Sequence, residues 1–186
     1  MNYNPNIHHR KSYRLRGYDY RRKGLYFITI CTKNRECFFG EIIDKEMNCT
    51  DLGKIAYQFF DEIPLHTKNA EVDVFCIMPN HVHGIIKLSG SSLHSDNIPS
   101  KSMDSNEISN YMQALAPKAG SISAIIRSYK SAVSRYSNQN LPDLNFEWHV
   151  RFWDHIIRNE EEYIKIYDYI INNPKNWDED RFSKKE

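Results

Sequence analysis

The sequence has no apolar run approaching the ~18 residues that a membrane-spanning helix needs, so a soluble protein is expected. Its first residues, MNYNPNIHHRK, are basic but contain no apolar stretch of the kind a secretory leader carries. The four cysteines (31, 37, 49 and 76) show no CxxC or zinc-finger spacing. Cys31 and Cys76 lie inside apolar runs, as buried free thiols do, which favours the cytoplasm. Only seven Gly and seven Pro occur in 186 residues, which excludes collagen-like and other fibrous chains. There is no internal repeat, and no excess of one charge, since the formal net charge is +1. What is present suffices for a core: 40% of the residues are hydrophobic and 13% aromatic, despite a mean hydropathy of -0.67. The length fits one domain.

The near-neutral total hides a basic front and an acidic back. Residues 8–23 hold seven Lys/Arg (Arg10, Lys11, Arg14, Arg16, Arg21, Arg22 and Lys23) against one acid, Asp19. Tyr13, Tyr18 and Tyr20 are interleaved with them. Cations that neutralise phosphates, mixed with rings that stack on bases, suit a nucleic-acid-binding arm; a solvated basic tail is the other interpretation. Residues 1–24 are therefore expected to form a basic arm and 25–177 the domain. A Ser- and Asn-rich surface insertion is expected at about 89–118, and a charged tail at 178–186, which carries no functional expectation.

Residues 25–32, LYFITICT, are aromatic and β-branched enough for a strand, and the stretch 33–42 is turn-rich. Thr50 or Asp51 caps a helix to about residue 63, with Leu52, Ile55, Ala56, Phe59 and Phe60 at helical spacing. Strands follow at 71–78 and 81–88, separated by Pro79-Asn80. A second long helix is expected over 120–136, with Ile122, Ile125, Ile126, Tyr129, Ala132, Val133 and Tyr136 in one stripe. Residues 146–158 contain a short strand. Asn159 caps a last helix, with Glu162 placed for a capping box, and Pro174 stops it at about 172. The order β-α-β-β-α-β-α predicts an α+β, ferredoxin-like sandwich with an antiparallel sheet and a C-terminal helix.

His81-Val82-His83 is the most informative tripeptide. On an extended backbone residues two apart share a face, so both imidazoles point the same way and can supply two ligands to one divalent ion. The alternative is a pair of satisfied surface histidines. Pro79-Asn80 and Gly84 are expected to allow close backbone approach to the ion. Among twelve tyrosines, Tyr129 and Tyr136 belong to the core stripe of the second helix. In the last helix the apolar arc is Tyr163, Ile164, Ile166, Tyr167, Ile170 and Ile171, which leaves Tyr169 on a polar flank with Asn173 one turn later.

The runs RLRGYDY (14–20), YFITICT (26–32), MPNHVHGII (78–86), RFWDHIIRNEEEY (151–163) and YIINNP (169–174) resemble the single-tyrosine HUH transposase family. Its repetitive-palindrome-associated (REP-type) branch and the IS200-like transposases are the nearest in pattern. The resemblance spans about residues 14–177 and is weakest in the polar insertion. It implies a ferredoxin-like sheet with the histidine pair on a central strand and the tyrosine on a helix beside it. It further implies that His81, His83 and Asn173 hold Mg²⁺ or Mn²⁺ and that Tyr169 is the nucleophile. The implied activity is cleavage and rejoining of single-stranded or hairpin DNA through a 5′-phosphotyrosine. Arg14, Arg16, Arg21, Arg22, Lys23, Arg127, Lys130, Arg151 and Arg158 are the candidates for holding phosphates. Arg135 belongs with the cations of the second helix. Trp148, Phe152 and Trp153 are candidates for base stacking, with core packing expected for at least two of them. A monomer and a homodimer are both compatible with the pattern, and no membrane partner is implied. The competing functions are an HUH replication or mobilisation nickase, and a catalytically silent nucleic-acid-binding domain on the same sandwich.

Overall fold

The computed structural model describes residues 18–90 and 117–183. Arg14 and Arg16, and nearly all of the expected insertion, lie outside the described residues. The chain runs β1 (Gly24–Cys31), β2 (Gly40–Ile43), β3 (Glu46–Cys49), α1 (Asp51–Asp61), α2 (Ile63–His66), β4 (Ala70–Met78) and β5 (His81–Leu88). It continues with α3 (Ile122–Asn140), β6 (Trp153–Ile157) and α4 (Glu160–Asn172), followed by a 3₁₀ segment, Pro174–Glu179.

Four strands form one antiparallel sheet in the order β4-β5-β1-β6. This is the ferredoxin-like arrangement expected from the element order. The two-residue turn Pro79-Asn80 joins β4 to β5 as a hairpin, which places His81 at the very start of a central strand. One hairpin escapes the sequence analysis: β2 and β3 pair within and just beyond the turn-rich stretch. Its turn residues, Asp44 and Lys45, have φ of 50° and 66°. Such a turn normally announces itself by Asn-Gly or Asp-Gly, and neither occurs here.

Period-two alternation divides the sheet's two faces. Tyr26, Ile28, Ile30, Val82, Ile86 and Leu88 form the main core with Leu52, Ala56 and Phe60 of α1 and Ile122, Ile126, Tyr129 and Val133 of α3. The Tyr129 hydroxyl donates to the Ala56 carbonyl at 3.0 Å, which confirms its structural place. The opposite face presents Phe27, Thr29, His81, His83 and Ile85. There Phe27, Ile85 and Ile157 pack against Ile170 of α4 in a second, smaller cluster.

Two local expectations need correction. Gly84 gives no approach to an ion, because it faces the main core. A Cβ there would lie 2.7 Å from the Phe60 ring and 3.0 Å from the Phe75 Cβ, so the glycine exists to let α1 settle on the sheet. In α4, Ile164, Tyr167 and Ile171 are exposed, and the inward stripe is Tyr163, Ile166, Ile170 and Asn173. One edge of the apolar arc thus meets the sheet, and the buried Asn173 continues that edge one turn later. As expected, Thr50 and Asn159 cap α1 and α4 through their side chains, and Ser121 does the same for α3. The capping box is modified, since the Glu162 carboxylate accepts from the Arg158 N–H at 2.8 Å and not from that of Asn159.

Candidate active site

Strand register builds the site. Thr29 and Cys31 on β1 stand opposite His83 and His81 on β5, and α4 passes over this face with Tyr169 and Asn173 turned toward the pair. Both histidines are buried, at 0% and 1% exposure, with ring centroids 4.4 Å apart. Satisfied surface histidines are thereby excluded.

Hydrogen bonds orient each ring. The Asn80 Nδ2 donates to the Arg35 and Phe182 carbonyls, which turns its Oδ1 toward His81 Nδ1 at 2.8 Å. His81 Nδ1 must then carry the proton, and Nε2 keeps its lone pair. The Thr29 hydroxyl holds His83 Nδ1 at 2.9 Å. Burial pushes His81 down to about 3, slightly opposed by the nearby Asn173 carboxamide and assisted by Arg181 and Arg35. Burial, and then the neighbouring His81, hold His83 well below 6.5. Both rings are neutral at physiological pH, the form that binds metal.

Asn173 is 1% exposed and lies one turn after Tyr169, as expected. The Tyr169 hydroxyl is 3.1 Å from His83 Nε2 and donates to Asp180 Oδ2 at 3.2 Å. Its ring is 39% exposed, with Phe27 and His83 on its inner side. Burial first, and then the Asp180 carboxylate, push its pKa up to about 12. Asp180, in the stretch set aside as a charged tail, is 8% exposed and also accepts from Asn173 Nδ2 at 2.9 Å. Phe182 packs on His81, with centroids 4.7 Å apart. Arg35 donates to the Arg181 carbonyl at 2.9 Å, and both guanidinium groups lie over the Phe182 ring. Sequence spacing carried no signal for Asp180, Arg35 or Arg181, because the turns that bring them in are irregular.

Two buried polar atoms of the site, His81 Nε2 and Asn173 Oδ1, make no hydrogen bond. An unpartnered lone pair in a buried site is costly, and a cation is the natural partner for two of them. His81, His83 and Asp180 each offer a ligand atom within 4.8 Å of the others, a group able to hold a metal ion. Two nitrogens with carboxylate and carboxamide oxygens fit a borderline divalent ion.

The expected phosphate-binding residues are scattered. Arg21 is paired with Asp19 at 2.7 Å, Arg22 lies over the Tyr18 ring, and Lys23 is exposed. Arg151 and Arg158 are exposed at the two ends of β6. Arg127, Lys130 and Arg135 lie on α3, whose packing puts it on the opposite layer from Tyr169. The Lys130 ammonium donates to the His149 and Val150 carbonyls, which secures the loop before β6. Trp148 is core and Phe152 packs against it, whereas Trp153 stays 37% exposed on the site's face.

Among the described residues no helix is long and apolar enough to cross a membrane. No family model matches the chain. A protein of Haemophilus influenzae is 39% identical to it over 182 residues, which is 96% of each chain. The solved structure of a REP-associated tyrosine transposase bound to a REP hairpin is 21% identical, with a TM-score of 0.55, over 88% of this chain and 73% of that one. A candidate transposase from Deinococcus radiodurans has 19% identity and a TM-score of 0.40, over 86% of this chain and 95% of that one. The chain therefore belongs to one family with the Haemophilus influenzae protein, and its fold is like that of the solved REP-associated tyrosine transposase.

Proposed function

We propose that this protein is a divalent-metal-dependent DNA transposase that cleaves and rejoins single-stranded DNA through a 5′-phosphotyrosine on Tyr169. The observation that carries the proposal is a tyrosine hydroxyl 3.1 Å from a buried, neutral histidine pair, beside two partnerless buried polar atoms. His81, His83 and Asn173 would hold the ion, with the Asp180 carboxylate beside it. The mixed nitrogen and oxygen set suits Mn²⁺ better than the harder Mg²⁺. When bound, such an ion supplies Lewis-acid polarisation of the scissile phosphate.

The chain's own groups perform the rest. The Tyr169 oxygen attacks phosphorus and the P–O3′ bond breaks, leaving the 5′-phosphate on the tyrosine. The phenolic proton passes to Asp180 Oδ2, its hydrogen-bond acceptor, and the departing oxygen becomes a free 3′-OH with a proton from solvent. Attack of another strand's 3′-OH on the phosphotyrosine reverses these events and restores the phenol, with no ATP consumed. The solved transposase of like fold is bound to a hairpin, and we assign hairpin-flanked single strands as the substrate class here. Arg21, Arg22, Lys23, Arg151 and Arg158 would hold its phosphates, with Arg14 and Arg16 extending the basic arm. Arg127 and Lys130 would be reached only by DNA passing around the β6 edge.

The test is a covalent-adduct assay on single-stranded hairpin DNA, labelled at either end, with Mn²⁺ or Mg²⁺. Wild-type protein should retain the fragment 3′ to the cut, and chelator or Tyr169→Phe should abolish the adduct while binding persists. An adduct that survives Tyr169→Phe would overturn the assignment of the nucleophile. Binding without any adduct would favour the silent module.

A further inference from the structure

Three of the aromatic groups on the site's face are accounted for: Phe27 packs beneath Tyr169, and His81 and His83 form the buried pair. Trp153 and His155 are not. Register places Cys76, His83, Thr29 and Trp153 in one row across the sheet, all on the face that α4 crosses. Trp153 therefore stands two strand spacings, about 10 Å, from His83. Phe27 links the two, with its centroid 5.5 Å from Trp153 and 5.3 Å from His83. Among the described residues, the strand that carries Trp153 is an edge of the sheet.

The two rings are built as a unit. Residues 153 and 155 share a face of β6, and the indole and imidazole are 5.8 Å apart with only 7° between their planes. His155 Nε2 lies 2.6 Å from Glu162 Oε1, and the other oxygen of that carboxylate accepts from the Arg158 N–H at 2.8 Å. The imidazole is thus fixed in plane by the first turn of α4, and the indole lies parallel to it. An indole left 37% exposed on a rigid edge strand contrasts with Trp148, which is in the core. Exposed cations, Arg151 and Arg158, stand at either end of the same strand.

We infer that Trp153, supported by His155, is a stacking platform for one unpaired DNA base beside the phosphate that Tyr169 attacks. An exposed, laterally supported indole offers the flat π-face on which an unpaired base stacks, and the nearby Arg151 adds a cation for the backbone of the same strand. This deepens the proposed function and rests on its single-stranded DNA substrate. Trp153 is here a binding residue that sets where the strand lies, with no part in the bond changes.

The test measures binding of the full chain, in chelator, to a fluorescent DNA hairpin flanked by an oligo-dT strand and to the same hairpin flanked by an abasic strand of equal length. Trp153→Ala should weaken oligo-dT binding about 5- to 150-fold and leave abasic-strand binding unchanged. Trp153→Phe, which keeps a ring, should recover most of the loss and guards against a folding artefact. Equal loss on both strands, or no loss on oligo-dT, would overturn the platform while leaving the transposase proposal standing. Failure of wild-type protein to bind either DNA would overturn the hairpin-flanked single-stranded substrate and the platform with it.

Discussion

Acidification should destabilise this protein through the histidine pair, by an amount the burial fixes. Both imidazoles are held neutral, His81 at about 3 and His83 well below 6.5, whereas in the unfolded chain each titrates near 6.5. Below pH 6.5 the unfolded chain therefore takes up protons that the folded chain refuses. Stability is present above that pH and is lost as pH falls, down to the folded-state values. Between pH 7 and 5.5 the loss is about 1.3 kcal/mol for each histidine, roughly 2.5 kcal/mol together. With a urea dependence of about 2 kcal/mol per molar, the unfolding midpoint should fall by roughly 1 M. Asp19, held down to about 2 chiefly by its hydrogen bond to Arg21, titrates below this window and does not contribute. The assay is urea unfolding in chelator at both pH values, for wild type, His81→Gln and the double variant with His83→Gln. The single substitution should halve the pH dependence and the double should nearly abolish it. A flat wild-type response, or an unchanged slope in the double variant, would refute the burial of two neutral rings.

Manganese should act in the opposite sense: at a hundredfold excess over its dissociation constant it should add about 2.7 kcal/mol, or roughly 5–10 °C in melting temperature. The gain should vanish in chelator and shrink in Asn173→Ala and Asp180→Asn, as read by thermal scans. Thr29→Val removes the hydroxyl on His83 Nδ1 and should cost about 1–3 kcal/mol along with a slower cleavage step, while Thr29→Ser should restore both. Gly84→Ala should cost roughly 1–3 kcal/mol in denaturant titrations, because its Cβ would meet the Phe60 ring, without weakening Mn²⁺ binding in the folded fraction. Tyr129→Phe should lose about 1 kcal/mol of stability with its bond to Ala56 and form adduct normally in the labelled-DNA assay.

Much of the architecture was legible in the residues because it rests on local periodicity. Alternation in 81–88 fixed which way His81 and His83 face, and the stripe from Ile122 to Tyr136 fixed how α3 packs. Caps at Thr50 and Asn159 followed from the preference of short polar side chains for unpaired N–H groups. The spacing of Tyr169 and Asn173 predicted a shared side of the helix, and the structure brings both to the histidines.

Other features have no local signature. The β2–β3 turn uses left-handed Asp44 and Lys45; Asp tolerates that conformation, but Lys45 stands where glycine would have announced the turn. The apolar arc of α4 is wider than the face that meets the sheet, so only Tyr163, Ile166 and Ile170 pack inward while Ile164, Tyr167 and Ile171 stay exposed. Asp180 reaches Tyr169 only because a 3₁₀ segment and a turn double the chain back across the sheet. Row neighbours such as Thr29 and Trp153 come from strands more than a hundred residues apart. The sequence by itself determined the four strands of the main sheet, the three long helices, the facing of the histidine pair and the core place of Tyr129, since side-chain spacing along one backbone dictates these. Only the tertiary structure decided which atoms surround the phenol and which polar atoms are left without partners, since those depend on contacts between segments that the chain's local order does not encode.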